Sequence, residues 1–137
     1  MLLPYVQQQV DRVISKMETL GHPMKVASTY RTWTEQDQLY AKGRTLPGKI
    51  VTNARGGESL HDYQVAADLC FSTGEAFGND QPWGLYGKVA QELGFEWGGA
   101  WTSFKDRPHI QMTFGQNEFA PKKAWRTRSN QKTYYII

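Results

Sequence analysis

The stretch SLHDYQVAAD, at residues 59–68, determines how the rest of the chain is interpreted. A glycine pair precedes it, and the apolar run that follows extends to Phe71. An imidazole and a carboxylate can both bind a borderline-soft divalent metal such as zinc. Because His61 is predicted in a loop and Asp68 in the strand that follows, two ligands can converge on one ion from separate backbone elements.

A second polar segment, Asp106-Arg107-Pro108-His109, offers a third candidate metal ligand. Catalytic zinc sites have three protein ligands and keep a fourth position open to solvent. His61, Asp68 and His109 would form such a set. The two stretches together therefore predict a three-ligand metal site.

Hydrolysis at such a metal also needs a base and a cation. The base takes a proton from the attacking water and returns it to the leaving group. Asp106 is predicted for this role because Pro108 stiffens its link to His109. The cation stabilises the developing oxyanion, and Arg31 is predicted for it because it lies between a strand and a capped helix.

Ordinary structural roles are also open to these residues. His61 could be a polar loop residue, His109 a strand-edge residue and Asp106 a turn residue before proline. Arg31 could be a salt-bridge partner. Asp68 is the hardest to explain in this way, because a carboxylate inside an apolar strand is costly unless it is paired or bound to a metal.

The composition is that of a globular protein, since 39% of the 137 residues are hydrophobic and 21% are charged. This length predicts one domain over residues 1–137. A net charge of +3 is too small to indicate a nucleic-acid partner, and we expect none. The single cysteine, Cys70, excludes an intrachain disulfide framework and is predicted to be a small buried hydrophobic residue.

The two ends of the chain bear on its location. The N-terminal residues lack a basic segment followed by a long apolar stretch, so we expect no signal peptide. No run approaches the ~18 apolar residues that a membrane span needs. The C-terminal tail, about residues 121–137, is basic and is expected either to give weak attraction to an anionic envelope or to be ordinary solvated surface.

Helical and strand periodicities are mixed along the chain. Helices are predicted over residues 5–20, 34–43 and 83–93, and strands over residues 24–30, 66–71, 95–97 and 109–112. Thr34 is the predicted N-cap of the second helix, with Asp37 at N3. The long loop 43–57 is predicted to contain a short strand at Ile50-Val51. Short strands mixed with helices favour an α+β fold with a small antiparallel sheet.

The motifs resemble a known family. Ser59-x-His61 followed by Ala66-x-Asp68 is similar to the SxHxxGxAxD signature of the zinc D-Ala-D-Ala carboxypeptidase and L-alanyl-D-glutamate endopeptidase group, whose fold is shared with the Hedgehog signalling domain. The resemblance covers roughly Val26 to Phe114. It includes the segments Tyr30-Arg31-Thr32, Gly43-Arg44-Thr45, Trp97-Gly98-Gly99-x-Trp101 and Asp106-x-Pro108-His109-x-Gln111. One departure is that Gln64 replaces the signature glycine, which could alter the loop geometry.

The resemblance implies one zinc ion held by His61, Asp68 and His109, on the sheet of an α+β fold with flanking helices. It implies that Asp106 is the catalytic carboxylate and that Arg31 steadies the substrate or transition state. Ser59 would then lie beside the substrate and away from the metal.

The resemblance is strongest to the phage endolysin branch, which cuts the L-Ala–D-Glu bond of the peptidoglycan stem peptide. It implies a monomer made in the host cytoplasm that reaches the cell wall after release through a holin. A D-Ala-D-Ala carboxypeptidase or dipeptidase is the alternative enzyme, and a zinc-containing wall-binding module without turnover is the alternative outside catalysis. A lysozyme-type glycosidase would need two carboxylates across a cleft, and Glu92 and Glu96 are available but not predicted to be a pair.

Overall fold

The computed structural model describes residues 2–103 and 105–113. Within them the regular elements are α1 (Pro4–Thr19), β1 (Met24–Ser28), α2 (Trp33–Ala41), β2 (Ala66–Phe71), α3 (Trp83–Glu92), β3 (Glu96–Trp97) and β4 (His109–Gln111), with 3₁₀ turns at Leu60–Tyr63 and Gly98–Ala100. The strands form an antiparallel sheet in the order β1-β2-β4-β3. The predicted α+β class is therefore confirmed.

Helix α1 covers the apolar side of this sheet. Val6, Val10, Val13 and Met17 recur at helical spacing and are fully buried. Each such side chain contributes about 1.5–3 kcal/mol when it leaves water. Gly21 follows the helix with a φ of 91°, a left-handed conformation that ends helices at low steric cost.

The two faces of the sheet have different roles. Alternate residues of a strand point to opposite faces. Leu69 and Phe71 of β2 pack with Ile110 of β4 in the core, against α1 and α3. Asp68 and His109, one position along, therefore lie on the opposite face. Helices α1 and α3 occupy the first face, and the second is available for a site.

Helix α2 begins two residues earlier than predicted, so the assignment of Thr34 as N-cap is wrong. Thr32 is the N-cap: its Oγ1 accepts from the Glu35 amide at 3.1 Å, and Glu35 Oε1 accepts from the Thr32 amide at 3.1 Å. This is a capping box, for which glutamate has the reach. Asp37 is used elsewhere, because its Oδ1 accepts from the Gly56 amide at 2.7 Å.

The loop that follows α2 contains no strand at Ile50-Val51, and that prediction is wrong. Both side chains are exposed, and the loop is held by side-chain hydrogen bonds instead of a strand ladder. Arg44 donates to the carbonyls of Tyr40 at 2.6 Å and Thr52 at 3.1 Å, and its guanidinium lies 3.8 Å from the centre of the Tyr40 ring. One arginine therefore ties this loop to α2.

Gln64 ends the first 3₁₀ turn in a left-handed conformation, with a φ of 64°. Among the described residues it is the only one besides glycines with a positive φ. Glycine adopts this conformation without a Cβ clash, which explains the glycine of the resembled signature. The turn thus keeps a glycine-type backbone although its residue is a buried glutamine.

We expect Gln64→Val to lower the free energy of unfolding by about 2–3 kcal/mol, because a β-branched residue is strongly disfavoured at positive φ. Gln64→Gly should change it by no more than about 1 kcal/mol, since relief of backbone strain offsets the lost packing and the greater freedom of the unfolded chain. Urea denaturation followed by circular dichroism measures both variants. Equal destabilisation by the two would mean that φ does not decide the choice of residue here.

The basic tail at residues 121–137 lies outside the described residues.

Strand β1 is shorter than predicted and ends at Ser28. The carbonyl of the next residue, Thr29, forms a hydrogen bond with the side chain of His61. No helix within residues 2–103 and 105–113 is long and apolar enough to cross a membrane.

Candidate active site

Strand pairing brings two of the predicted ligands together. In the antiparallel ladder of β2 and β4, Asp68 is directly opposite His109. Opposed residues of such a ladder point to the same face with their Cβ atoms about 4.5–5.5 Å apart. The sheet register therefore sets the separation of this carboxylate and this imidazole.

The third predicted ligand, His61, comes from the 3₁₀ turn that precedes β2. Ser59 is the N-cap of that turn, and its Oγ accepts from the His61 amide at 3.2 Å. The hydroxyl of Tyr63 donates to the Gly57 carbonyl at 2.6 Å. The turn is thus anchored at its start and its end, and His61 is held over the sheet with 2% of its surface exposed.

The three side chains form a nearly equilateral triangle of ligand atoms. His61 Nε2 is 3.3 Å from Asp68 Oδ1 and 3.2 Å from His109 Nδ1, and His109 Nδ1 is 3.2 Å from Asp68 Oδ1. Ligand atoms bound at about 2.0–2.1 Å to a tetrahedral zinc ion lie about 3.3 Å from one another. The triangle has the dimensions of one face of such a site.

The outer nitrogens of both imidazoles are already used as donors. His61 Nδ1 lies 2.7 Å from the Thr29 carbonyl, and His109 Nε2 lies 2.8 Å from Gln111 Oε1. Each of these oxygens can only accept, so each outer nitrogen carries a proton. In the neutral imidazoles the inner nitrogens are then lone pairs that face Asp68. Three lone pairs at this distance need a positive charge between them, which a divalent cation supplies.

Burial and hydrogen bonding act in opposite directions at these groups. Burial lowers the pKa of His61, and this effect exceeds the opposing effect of Asp68. Burial also lowers the pKa of His109, but the neighbouring Asp68 carboxylate, and after it Gln111, raise it above its ordinary value overall. Burial raises the pKa of Asp68, whereas the imidazoles of His109 and His61, in the states in which their inner nitrogens carry a proton, bring it well below its ordinary value. Asp68 is therefore an anion throughout the neutral pH range.

A cleft of about 750 Å³ opens at this triangle. Its lining contains all six residues that the sequence predicts for the site: Arg31, Ser59, His61, Asp68, Asp106 and His109. The lining also includes Val51 and Asn53 from the loop after α2, together with Trp101 and Lys105. The predicted site residues, which are distant in sequence, share one cleft.

Asp106 is brought to the cleft by a close backbone contact. Its amide donates to the Gly98 carbonyl at 3.0 Å, and a Cβ atom on Gly98 would overlap the Asp106 carbonyl oxygen. Burial and the charge of Asp68 raise the pKa of the Asp106 carboxyl. A carboxylate with a raised pKa has a greater affinity for a proton, which suits a group that accepts one during catalysis.

Arg31 approaches the other oxygen of Asp68. Its Nη2 is 4.0 Å from Asp68 Oδ2, and the side chain is 20% exposed. Its Nε is buried and has no hydrogen-bond partner among the described residues. Arg31 therefore partly neutralises Asp68, and its guanidinium lies at the cleft.

The two tryptophans of the segment Trp97-Gly98-Gly99-x-Trp101 and the two glutamates considered for a glycosidase lie in different parts of the fold. Trp97 packs on the core and donates from Nε1 to the Arg107 carbonyl at 2.8 Å. Trp101 lies in the cleft, with its ring centre 5.2 Å from that of His109. Glu92 pairs with Lys16 at 3.1 Å, and neither Glu92 nor Glu96 lines the cleft. The glycosidase alternative therefore loses the two glutamates, Glu92 and Glu96, on which it would depend.

Two groups that orient the histidines were missed from the sequence. Gln111 shares a strand face with His109, so the spacing of the two residues on β4 was an available signal. The carbonyl of Thr29 orients His61 through the backbone, and a backbone carbonyl leaves no signal in a sequence.

The fold and the cleft together fit one class of protein, the metal-dependent hydrolases, since His61, Asp68 and His109 could hold a metal ion on the antiparallel sheet. A family model described as D-alanyl-D-alanine carboxypeptidase matches residues 52–112. The peptidoglycan L-alanyl-D-glutamate endopeptidase CwlK of Bacillus subtilis (strain 168) is 38% identical over an alignment of 122 positions, which covers 81% of this chain and 73% of CwlK. The chain belongs to this peptidase family, known as M15.

A second relative comes from a phage. The L-alanyl-D-glutamate peptidase of Listeria phage A118 is 45% identical over an alignment of 121 positions, which covers 76% of this chain and 42% of that protein. The present chain thus corresponds to less than half of the phage protein.

Solved structures share the fold at low identity. The L-Ala D-Glu endopeptidase ChiX of Serratia marcescens superposes with a TM-score of 0.61 at 18% identity, covering 82% of this chain and 81% of ChiX. DacB of Streptococcus pneumoniae D39 superposes with a TM-score of 0.65 at 19% identity, covering 92% of this chain and 72% of DacB. The vancomycin-resistance D,D-pentapeptidase VanY, solved as a variant with Zn(II), superposes with a TM-score of 0.63 at 14% identity, covering 93% of this chain and 79% of VanY.

Proposed function

We propose that this protein is a zinc peptidase that hydrolyses the stem peptide of bacterial peptidoglycan at the bond between L-Ala and D-Glu. The observation that carries the proposal is the triangle of His61 Nε2, Asp68 Oδ1 and His109 Nδ1 at the floor of a cleft. The choice of bond is supported by the two relatives, both of which are named as L-alanyl-D-glutamate peptidases.

Zinc is the metal that suits this donor set, because it accepts nitrogen and oxygen ligands in a tetrahedral arrangement. The Zn(II) complex of a protein with the same fold supports this choice. We propose one ion per chain, held by His61, Asp68 and His109. When bound, zinc supplies Lewis-acid polarisation of the scissile carbonyl and makes a water molecule acidic enough to attack near neutral pH.

In this proposal the chain's own residues move the proton and stabilise charge. Asp106 takes the proton from the attacking water at its carboxylate and delivers it to the amine of D-Glu as the peptide bond breaks. Arg31, which lines the cleft, donates a guanidinium N–H to the oxyanion that develops at the carbonyl. Ser59 lies in the cleft beside the substrate, where its Oγ also caps the turn of His61.

The place of action is proposed from the same relatives. A peptidoglycan substrate places the reaction at the cell wall. We propose that residues 1–137 act as a single catalytic domain and as a monomer, without a nucleic-acid partner. For a phage-type enzyme, synthesis in the host cytoplasm is followed by release to the wall through a holin.

Mass spectrometry of muropeptides after digestion of purified peptidoglycan tests the function. The expected products have a free L-Ala carboxyl end on the glycan side and a free D-Glu amine on the peptide side. Release of terminal D-Ala instead would establish the carboxypeptidase alternative. A protein that binds zinc and peptidoglycan but forms no product would establish the wall-binding alternative.

A further inference from the structure

A chain of hydrogen bonds leads from His109 away from the cleft. His109 Nε2 donates to Gln111 Oε1 at 2.8 Å, and Gln111 Nε2 donates to Glu96 Oε2 at 2.9 Å. Thr113 Oγ1 donates to the other oxygen, Glu96 Oε1, at 3.0 Å. The sheet register supports this chain, because Glu96 of β3 is directly opposite Gln111 of β4.

The chemistry of these groups gives the chain one direction. An ionised carboxylate can only accept, so Glu96 can bond to the NH₂ end of the Gln111 amide and not to its oxygen. The amide oxygen must then point to His109. Because an amide oxygen can only accept, the proton of His109 must lie on Nε2. Its Nδ1 is left as a lone pair toward the cleft.

Burial makes the inner part of this arrangement hard to replace with water, whereas Glu96 at its outer end is exposed. His109, Gln111 and Thr113 are 6%, 3% and 4% exposed. A buried polar group that loses its partner costs about 1–3 kcal/mol. If the Gln111 amide rotated, its NH₂ would face the His109 N–H and its oxygen would face the Glu96 carboxylate. Both contacts would be repulsive, so a single orientation is strongly preferred.

We infer that Gln111 and Glu96 are positioning residues that fix His109 as its Nε2–H tautomer and aim its Nδ1 at the metal, with Thr113 holding the Glu96 carboxylate. The inference rests on the proposed function, because it takes the group at Nδ1 to be zinc. Histidine ligands commonly donate their second N–H to a carboxylate or a carbonyl, which fixes the tautomer and ring orientation. Here a neutral amide separates the imidazole from the carboxylate.

The two histidines are therefore oriented by different devices. His61 donates to the backbone carbonyl of Thr29, which substitution of a side chain does not remove. His109 depends on two side chains, and these can be changed separately. This difference allows the orientation of one ligand to be altered while the other ligand and its partner remain.

The test uses the full chain loaded with zinc and three changes: Gln111→Leu, Glu96→Gln and the double change Glu96→Gln/Gln111→Glu. Gln111→Leu removes the acceptor, and its zinc affinity should fall about 10–100-fold in competition with a chromophoric chelator. Glu96→Gln removes the group that orients the amide, and its loss should be smaller, below about tenfold. The double change should recover most of the affinity, because a carboxylate at position 111 accepts from His109 and from the new amide at position 96.

A spectroscopic readout separates positioning from a general loss of structure. One-bond ¹H–¹⁵N spectra of the zinc-loaded protein should show a slowly exchanging proton on His109 Nε2. That proton should exchange rapidly in Gln111→Leu and slowly again in the double variant. Glu92→Gln is the matched control, since it removes a carboxylate charge at the surface pair with Lys16 and should change neither affinity nor exchange.

Wild-type affinity and slow exchange in Gln111→Leu would overturn the inference. An equal loss of affinity in Glu96→Gln and in the double variant would overturn it as well, and these two variants decide the matter if Gln111→Leu does not fold. Failure of the proposed function is seen separately, because a wild-type protein that binds zinc but forms no muropeptide product leaves these readouts intact. A wild-type protein without zinc affinity would overturn both.

Discussion

Asp106→Asn is expected to lower kcat on peptidoglycan by about 10²–10⁴-fold, the usual contribution of a general acid–base group. The asparagine keeps the size of the side chain but cannot take a proton from water. Zinc content should remain at one ion per chain, because Asp106 is not one of the three atoms of the ligand triangle. The rate is measured as the release of new amino groups, and metal content by atomic absorption on the same sample.

Asp80→Asn is the matched control for this change, since Asp80 is exposed and does not line the cleft. It should retain wild-type activity and zinc. Full activity of Asp106→Asn would remove the assignment of the base. Loss of zinc from that variant would instead mean that Asp106 supports the metal, and the drop in rate would then need a different explanation.

His61→Ala is expected to abolish both zinc binding and peptide hydrolysis. It removes one of three ligand atoms, so the affinity for zinc should fall by more than the ~10–100-fold typical of a lost outer partner. It also leaves only Asp68 and His109 as candidate ligands at the site. Equilibrium dialysis against zinc, followed by the amino-group assay, measures both effects.

His22→Ala is the control for the loss of an imidazole, because His22 lies in the turn after α1 and outside the cleft. It should keep both zinc and activity. Removal of zinc from the wild-type protein with a chelator should reproduce the inactivity of His61→Ala, and added zinc should restore only the wild type. An active, zinc-replete His61→Ala protein would overturn the metal site.

Much of the candidate site could be predicted from residue types and order. A histidine and an aspartate before and within an apolar strand, with a second histidine opening the last strand, indicated ligands on a sheet. The face shared by alternate residues of β2 was also predictable, because strand geometry repeats every two residues. The register that places Asp68 opposite His109 was not, since it depends on pairing between distant segments.

The errors occurred where local signals were ambiguous. Thr32 and Thr34 are each followed by an acidic residue at the spacing of a capping box, and the sequence alone did not distinguish them. The structure shows why Glu35 forms the box, as Asp37 is engaged by the Gly56 amide from the next loop. Ile50-Val51 has strand-forming residues but no neighbouring strand to pair with, and Arg44 holds its loop instead.

Residue types alone supply the chemical groups of the candidate site: two imidazoles, a candidate carboxylate ligand, a candidate base and a candidate cation. Tertiary structure decided how these groups meet. It brings the three ligand atoms of His61, Asp68 and His109 to within 3.3 Å of one another. It also ends the turn that carries His61 with Gln64 at positive φ, and it hydrogen-bonds His109 to Gln111 and Gln111 to Glu96. Ligand types are properties of single residues, whereas distances and tautomers depend on strand register and on hydrogen bonds between segments far apart in the chain.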